Sequence, residues 1–497
     1  MDKQISILAL GLDKNHFQEK FEYFYKEYKY LKFLLSYNPI PDNFKISKLD
    51  RIDASKLYDR DRIFEAFGLN KKAILDSKFL SQMYECESLF FSTLDRCSTE
   101  KRSITEDKSY FEDLLLFFKS FFESKQDITH IFFPSTPHFP LEIVLFYVSK
   151  YFSIKSIILN RTDFNNKFFF REDWRHIHHF NKNIKYNSVI PFDFTKGKQE
   201  SGFVKYSNKL NESSKDNFKV ESNPLKLLLS YYKLFKISIN YFKGRKDSSI
   251  YYLNKRTTWL DIFISIIKRF KKDRSLKVLY GKLIKEPDLT NEYIYFPLHF
   301  QPERSTDPEG LHFSNQLTTI HFLRDTIPSN IFLYIKEHPR QFDNINFPDL
   351  RKNLYRNENF YKKISSLENT ELISINKHSD IMIEKSIAVV TLTGSSGWQA
   401  IKKLKPTLIF GYPWYANFKG CFHIKTKSDI MVAFSKINES KSLFTRDDVT
   451  NYIKLIKDKL FDAYIGSFFF TGDEQDYNKI VQMFSNNLNE FIKIDIK

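Results

Sequence analysis

The stretch "IAVVTLTGSSGWQAIKKLKPTLIFGY" (387–412) is the clearest indication of the fold in the second half of the chain. It contains a short apolar run, a polar loop rich in Gly and Ser, an amphipathic segment and a second apolar run, which predicts strand, helix and strand. The same alternation precedes it, with strand patterns in 292–300, 331–339 and 370–375 and helical patterns in 315–327, 359–367 and 380–386. Strict alternation of short strands with helices predicts a parallel, doubly wound sheet.

The first half of the chain carries a weaker form of this pattern. "ISILALG" (5–11) predicts a strand followed by a helix over 16–28, and the apolar spacing in 77–97 is helical. Residues 128–162 predict strand, loop, helix and strand, with the loop "PSTPHFP" (134–140) at the carboxyl end of the first strand. The chain is therefore expected to be an α/β protein with two Rossmann-like, doubly wound domains.

We divide the chain into four parts by composition. The expected N-terminal Rossmann-like domain, on the acceptor side, covers 1–180, and a basic helical connection covers 181–290. The C-terminal Rossmann-like domain covers 291–425, and the helices of 426–497 either extend it or cross back to the first domain. Within the connection, the basic and aromatic helices of 224–285 are either interdomain helices with solvated lysines or a surface that rests on anionic lipid.

The composition limits the classes of partner and the cellular compartment that we expect for this protein. The 497 residues include 77 Lys and Arg against 60 Asp and Glu, a net charge of +17 that attracts polyanions such as anionic lipid, nucleotides or acidic sugars. No nucleic-acid-binding motif accompanies this charge, so nucleic acid is not an expected partner. The three cysteines are scattered, and no apolar run has the length of a membrane span, which predicts a reduced cytoplasmic setting, either free or peripheral on the inner face of the membrane.

Three polar loops directly follow predicted strands of the second domain, so they should converge at one edge of the sheet. In the loop 393–400, Gly394 and Gly397 let the backbone approach a ligand. Ser395 and Ser396 offer hydroxyl and amide groups at a helix start, which suits a phosphate. The alternative is an ordinary helix N-cap.

The loop "KEHPR" (336–340) is the second of these. Pro339 stiffens the backbone and favours an extended His338, which could then donate to a phosphate oxygen or protonate a leaving group. Lys336 is expected to add charge beside it, whereas Glu337 is expected to point away without a special role. The alternative is a solvated strand end.

Other candidates lie in 297–306 and in the first domain. His299, Gln301 and Glu303 form either a substrate-contacting loop or a proline-stiffened turn. His138 and Glu142 surround a predicted helix start, where Glu142 can also compensate the helix dipole. Two further carboxylates, Glu87 and Asp95, lie on one predicted helix and are either site residues or members of structural pairs with Arg.

The motifs "YFPLHFQPERST" (295–306), "FLYIKEHP" (332–339), "VVTLTGSSGWQAIKKLKPTLIFGYPWY" (389–415) and "TPHFPLEIVLFYVSKYFSIKSIIL" (136–159) together resemble the capsule polysaccharide biosynthesis protein family. This family includes bacterial transferases of 3-deoxy-manno-octulosonic acid (Kdo) and related acidic sugars. The resemblance implies a GT-B fold, in which two Rossmann-like domains face a cleft and the C-terminal domain holds most of the nucleotide sugar.

The His-Pro pair followed by a Ser-rich loop is also similar to bacterial sialyltransferases, which use CMP-activated donors. By that analogy His338 would contact the CMP phosphate, and Ser395 and Ser396 would bind the same phosphate or nearby hydroxyls. Lys336, Pro339, His299 and Gln301 complete the expected donor site, with Gly394 and Gly397. Gln399 belongs to it as a hydrogen-bonding residue.

Relatives commonly carry Glu where this chain has Gln399, and an amide cannot act as a carboxylate base. The catalytic groups are therefore expected to be Glu303, Glu87 and His138, with Asp95 as a further candidate. No metal or other cofactor is expected, because basic side chains and a helix N-terminus can neutralise a leaving phosphate.

The resemblance thus implies a glycosyltransferase that moves Kdo or a nonulosonic acid, such as pseudaminic or sialic acid, from a CMP donor to a glycan or lipid-linked acceptor, with retention of configuration. Three alternatives stay open. The donor could be a UDP- or GDP-sugar, the reaction could be polyol-phosphate transfer from a CDP donor, or the protein could be a non-catalytic capsule assembly or export factor.

Overall fold

The computed structural model describes residues 5–11, 28–36, 50–57, 63, 73–97, 103–164, 167–176, 180, 184–188, 224–244, 258–342, 355–439, 442–463 and 474–494. These residues form two β-sheets, each flanked by helices, and the sheets face a shared cleft. The two-domain, Rossmann-like α/β architecture expected from the sequence is confirmed. The helix predicted over 16–28 lies outside the described residues except for Tyr28.

The N-terminal sheet has seven strands in the order β3-β2-β1-β4-β5-β6-β13. Its strands are β1 (Ile7–Gly11), β2 (Leu31–Ser36), β3 (Asp50–Asp53), β4 (His130–Phe133), β5 (Lys155–Arg161), β6 (Lys167–Arg171) and β13 (Phe461–Asp462). Strands β1 to β5 pair in parallel, whereas β6 and β13 extend the sheet in antiparallel pairs. Strand β13 comes from the C-terminal part of the chain, which therefore returns to the first domain.

The C-terminal sheet is wholly parallel, in the order β9-β8-β7-β10-β11-β12. Its strands are β7 (Tyr293–Pro297), β8 (Phe332–Lys336), β9 (Thr370–Ile373), β10 (Ala388–Thr391), β11 (Thr407–Ile409) and β12 (Cys421–His423). Strands β7 and β10 lie side by side at the centre, and the strand order reverses between them. Ligands of open α/β sheets bind outside the strand ends at such a switch point.

Helices cover both faces of each sheet. In chain order they are α1 (Ala54–Leu57), α2 (Ser77–Ser81), α3 (Tyr84–Cys97), α4 (Ile104–Ser124), α5 (Pro140–Tyr151), α6 (Pro224–Gly244), α7 (Trp259–Leu283), α8 (Gln316–Thr326), α9 (Glu358–Ser365), α10 (Ser379–Lys385), α11 (Ser395–Lys402), α12 (Lys427–Glu439), α13 (Arg446–Lys457) and α14 (Glu474–Ile494). Strands such as β10 are apolar on both sides because helices bury both of their faces. None of the described helices is both long and apolar enough to cross a bilayer.

The two domains share an aromatic cluster beside the cleft. Phe164, which follows β5, packs against Trp398 and Trp414 of the C-terminal domain, with ring centroids 5.9 and 5.1 Å apart. At the far end of the chain, Phe484 and Leu488 of α14 lie in the core of the N-terminal domain. These contacts hold the two sheets on either side of one cavity.

The basic connection contains two helices, as the spacing predicted, but they are not equivalent. Helices α6 and α7 pack on each other through a small apolar cluster around Leu234, Ile262 and Ile266. The later part of α7 instead enters the C-terminal core through Leu276 and Tyr280.

The sequence reading missed several elements of the first domain. It identified β1, β4 and β5 but not β2, β3, β6 or the long helix α4. Helix α4 contributes ten buried residues, more than half of them aromatic. Strand β6 pairs antiparallel to β5 and begins six residues after β5 ends, a geometry that an expectation of βα alternation does not anticipate.

Candidate functional site

A cavity of about 410 Å³ lies between the carboxyl ends of the two sheets. Its C-terminal wall consists of the segments that follow β7, β8, β10 and β11, and its lining there includes Pro297, Leu298, His299, Phe300, Glu303, Arg304, Ser305, Glu309, His338, Thr393, Gly394, Ser395, Ser396, Tyr412, Pro413 and Trp414. The N-terminal wall contributes Asn160, Arg161, Thr162, Asp163, Phe169 and Arg171. All three polar loops predicted to converge therefore reach this cavity.

His299 is held by the neighbouring central strand. Its Nε2 accepts a hydrogen bond from the backbone N–H of Leu392 at 3.1 Å and lies 2.9 Å from Thr391 Oγ1. An accepting Nε2 leaves the ring proton on Nδ1. Burial, with the nearby Arg356 guanidinium, lowers the pKa of His299 to about 4, so the ring is neutral at physiological pH.

His338 is neutral as well, with the opposite tautomer. The backbone N–H of Arg340 donates to His338 Nδ1 at 3.2 Å, which leaves the proton on Nε2. Burial, followed by the positive charge of Arg340, lowers the pKa of His338 to about 3. The half-buried ring lines the cavity, so it presents a neutral N–H donor there rather than an imidazolium.

The N-terminus of α11 forms the third donor group of this wall. Gly394 is its N-cap, and Ser395 and Ser396 form its first turn on the cavity lining. A Cβ atom at Gly394 would lie 2.7 Å from Cε1 of His299, so only glycine lets the helix start this close to the ring. Free N–H groups and the positive end of the helix dipole favour an anion at this point.

The N-terminal wall brings arginines to the cleft. Burial lowers the pKa values of Arg161 and Arg171 to about 10, so both remain charged at neutral pH. Arg171 contacts Glu309 at 3.2 Å and donates to the backbone carbonyl of Tyr412 at 3.3 Å, both in the other domain. Thr136 donates to the same Glu309 at 2.6 Å, so these contacts join the two walls.

Three carboxylates line the cavity. Glu309 lies between Arg171 and Arg304, and Asp163 accepts a hydrogen bond from Trp414 Nε1 at 3.0 Å. Glu303, predicted from the sequence, accepts from the Ser305 hydroxyl at 3.3 Å. Of the predicted carboxylates whose side chains the structure describes, Glu303 alone is on this lining.

Glu337 points away from the cavity lining, as predicted, but the expectation that it has no special role is wrong, because its side chain is fully buried and pairs with Arg356 at 2.6 Å. The backbone N–H of His338 donates to Glu337 Oε1 at 2.7 Å, and the Tyr361 hydroxyl donates to Oε2 at 2.9 Å. The sequence could not show this, because Arg356 lies nineteen residues further along the chain.

Several predicted donor-site residues lie behind the lining. Lys336 donates to the backbone carbonyl of Lys377 and to the Ser379 hydroxyl at 2.7 and 2.8 Å, and burial lowers its pKa to about 8. Gln301 is buried, and its side chain accepts from Arg356 Nη1 at 2.7 Å. The other three, Pro339, Gly397 and Gln399, are absent from the lining.

Gly397 has a packing role that the geometry makes clear. A Cβ atom there would lie 2.3 Å from the hydroxyl of Tyr415, which donates to the Gly394 carbonyl. Gln399 lies two residues further along α11. Pro339 opens the short 3₁₀ turn that carries Arg340 back toward the His338 ring.

Three predicted residues of the first domain, His138, Glu142 and Glu87, are absent from the cavity lining. His138 Nδ1–H donates to the backbone carbonyl of Thr136 at 2.8 Å, so the ring is held by its own loop. Glu142 accepts from the backbone N–H groups of His138 and Phe139, a capping arrangement at the start of α5. Glu87 lies near the start of α3 and Asp95 in its last turns.

Sequence reasoning missed Arg161, Asp163, Arg171 and Glu309. A signal existed for the first two, because "NRTD" (160–163) contains the last two residues of β5 and the two that follow it, at the same sheet edge as the loop "PSTPHFP". No local signal marks Arg171 or Glu309, whose importance depends on the approach of the other domain. Within the described part of the chain, no group of three or more His, Cys, Asp or Glu side chains could hold a metal ion.

A family model described as "Capsule polysaccharide biosynthesis protein" matches residues 312–423. The match extends from just before α8 to β12, including the strands and loops that carry His338 and Ser395. The resemblance to this family is therefore confirmed over most of the C-terminal domain. No curated protein matches the chain.

Solved structures with related architecture include KpsC, beta Kdo 2,7 transferase, from Thermosulfurimonas dismutans. It is 12% identical, covers 83% of this chain and 97% of its own, and has a TM-score of 0.29. A second is UDP-GlcNAc 2-epimerase from Methanocaldococcus jannaschii, at 11% identity, with coverage of 97% and 99% and a TM-score of 0.24.

Proposed function

We propose that the protein is a glycosyltransferase of capsule or surface polysaccharide biosynthesis. It would transfer an acidic keto-sugar, Kdo or a nonulosonic acid such as pseudaminic or sialic acid, from a CMP donor to a glycan or lipid-linked acceptor. One observation carries the proposal. His299, His338 and the N-terminus of α11 converge on one cavity at the switch point of the domain that matches the capsule family.

The chemistry of this wall suits a leaving nucleotide. Transfer breaks the bond between the anomeric carbon and a phosphate oxygen, so negative charge grows on that phosphate. Two neutral imidazole N–H groups and a helix N-terminus are fixed donors for this charge, and such preorganised donors stabilise a transition state. Burial lowers the pKa values of both histidines, so in the ligand-free protein both rings are neutral and carry an N–H group that can donate a hydrogen bond.

We assign the acceptor and sugar side to the opposite wall and its neighbours. Glu303 lies on the lining and is our candidate for the catalytic carboxylate. Arg161 and Arg304 offer guanidinium groups to the carboxylate that an acidic keto-sugar carries. Metal independence and retention of configuration are parts of the proposal that rest on the family resemblance.

The donor assignment is tested by thermal shift with CMP, CDP, UDP and GDP. A ligand at 100 times its Kd stabilises the folded state by about 2.7 kcal/mol, so one nucleotide should stand out. We expect CMP to give the largest shift. A larger shift with UDP or GDP, or with CDP, would replace the CMP assignment by the corresponding alternative donor.

Activity is tested by hydrolysis of CMP-Kdo and CMP-sialic acid in the absence of acceptor. We expect slow release of CMP with at least one of these donors, lost in the Glu303→Gln variant. The protein could bind CMP and yet neither hydrolyse these donors nor transfer their sugar to any acceptor. That result would favour the interpretation as a non-catalytic assembly factor.

We further propose that α6 and the first part of α7 rest on an anionic membrane surface. Leu228, Leu229 and Tyr232 on α6 are 69, 59 and 55% exposed. Helix α6 carries four lysines and no acidic residue, and Lys236 lies over the Tyr232 ring at 4.7 Å. Apolar side chains flanked by lysines are typical of helices that lie in a lipid interface.

Vesicle flotation tests this surface. We expect the protein to float with phosphatidylglycerol vesicles and not with phosphatidylcholine vesicles, and the Leu228→Ser/Leu229→Ser variant to stay unbound. The control is Met431→Ser/Val432→Ser, which removes a pair of apolar residues on α12 with similar exposure of 60 and 52%. Equal loss of binding in both variants would refute a specific role for α6.

A further inference from the structure

The geometry points to Arg356 as a positioning residue that holds both cleft histidines in place, His299 directly and His338 through the buried Glu337. This inference rests on the proposed function, because it concerns the donors that would contact the leaving phosphate. Neither Arg356 nor Glu337 lines the cavity, so both would act through the loops that they hold.

Arg356 connects two of the three cleft loops. Its Nε donates to Glu337 Oε2 at 2.6 Å, which ties it to the loop of His338. Its Nη1 donates to Gln301 Oε1 at 2.7 Å and its Nη2 to the backbone carbonyl of His299 at 3.2 Å, which ties it to the other loop. A planar guanidinium with several fixed donors can bridge two loops in this way, whereas a lysine ammonium cannot reproduce the geometry.

Glu337 completes the connection on the other side. Its Oε1 accepts from the backbone N–H of His338 at 2.7 Å, and its own backbone N–H donates to the Tyr280 hydroxyl at 3.0 Å. Tyr280 in turn donates to the carbonyl of Ile373 at the end of β9. The network therefore anchors the His338 backbone to the edge of the sheet.

The burial of this pair favours a positioning role over a stabilising one. Arg356 and Glu337 have side-chain exposures of 1 and 0%. Two charges removed from water lose hydration that their attraction only partly restores, so apolar residues of similar size often give an equally stable fold. What apolar residues cannot supply is the set of directed hydrogen bonds to His299, Gln301 and His338.

The test uses a variant that removes both charges together, Glu337→Gln/Arg356→Met. Loss of the pair as a whole leaves no unpaired buried charge, so the variant should fold. A second variant, Arg356→Lys, keeps the charge beside Glu337 but loses the fork of donors. The matched control is Lys167→Met/Asp462→Asn, which removes another buried ion pair, at 2.7 Å in the N-terminal domain.

The first readout is the tautomeric state of the two histidines, measured on the ligand-free protein by nitrogen-15 NMR of labelled histidine. In the native protein we expect His299 to be protonated on Nδ1 and His338 on Nε2. Both cleft variants should show mixed tautomers for these rings, whereas the control should keep the native pattern. A general loss of stability would not produce this difference.

The second readout is calorimetric affinity for CMP, which we expect to fall about tenfold in both cleft variants and to stay unchanged in the control. If the native protein does not bind CMP, the donor proposal fails, yet the tautomers still decide the role of Arg356. Native tautomers in both cleft variants would overturn the inference. Failure of both variants to fold would overturn it too, because the pair would then support the fold as a whole.

Discussion

Two loops of this protein follow parallel strands, and each carries a histidine next to a proline. The loop after β8 contains His338 and Pro339, and the loop after β4 contains Pro137 and His138. In the first, the ring nitrogen Nδ1 accepts from a backbone N–H and the other nitrogen remains for the cavity. In the second, Nδ1 donates to a carbonyl of its own loop.

The glutamates beside these histidines also differ. Glu142 caps α5 through backbone N–H groups within its own turn. Glu337 holds the backbone of His338 and is itself paired with Arg356 from a distant part of the chain. A histidine at a strand end can therefore bind a ligand only where other contacts hold its loop and leave one ring nitrogen facing the cavity.

The largest expected effect is a difference in turnover between variants of His338 and His138. His338→Ala removes an N–H donor to the leaving phosphate, and loss of one such donor costs about 100-fold in turnover. We expect release of CMP from its sugar donor to fall by that factor. His138→Ala should change it by about twofold at most, as for residues away from a site. An equal loss in both variants would restore the catalytic role that the sequence suggested for His138.

A smaller effect should follow from crowding the second cleft histidine. Gly394→Ala places a Cβ atom 2.7 Å from the His299 ring and 3.0 Å from Thr391 Oγ1. Overpacking of this kind costs about 1–3 kcal/mol. Gly420→Ala creates a similar clash with Phe444, at 2.3 Å and outside the cavity lining. Both should lower the melting temperature, but CMP affinity should fall only for Gly394→Ala.

The pH dependence of the free energy of unfolding should contain a contribution from the two cleft histidines, His299 and His338. Their folded pKa values of about 4 and 3 lie below the ordinary 6.5, so the unfolded chain binds protons more tightly. Their contribution is therefore complete above pH 6.5 and is lost as the pH falls toward 4 and then 3. The slope for each histidine can reach about 1.4 kcal/mol per pH unit.

Urea unfolding at a series of pH values from about 7 down to about 4 measures this slope. We expect His299→Gln/His338→Gln to flatten the curve, because an amide does not titrate while Lys336, Arg340 and Arg356 stay charged. A double variant with the same slope as the native protein would show that other groups cause the acid loss of stability.

The smallest effect concerns the glutamate of the first loop. Glu142→Ala removes the side chain that accepts from His138 and Phe139 at the start of α5, and loss of a helix cap costs about 1 kcal/mol. Chemical denaturation should show this loss, while CMP affinity should stay unchanged. Weaker CMP binding by this variant would indicate that the loop 134–140 contacts the ligand, although it is absent from the cavity lining.

The C-terminal sheet and the positions of its loops could be predicted from the sequence alone. Apolar runs with strand and helix periodicity are local signals, and parallel strands bring their carboxyl ends to one edge. The convergence of the loops of His299, His338 and Ser395 could therefore be predicted. The family motifs lie in these same loops, so the strand and helix pattern and the motifs both indicated the same candidate residues.

The role of each side chain depends on contacts that form only when the chain is folded. The direction of the His338 and His138 rings depends on hydrogen bonds that no periodicity encodes. The burial of Glu337 depends on Arg356, and the contact of Arg171 with Glu309 depends on the meeting of two domains. Pairing between residues far apart in the chain leaves no pattern in either segment alone, because each partner looks like an ordinary charged residue until the other is brought beside it.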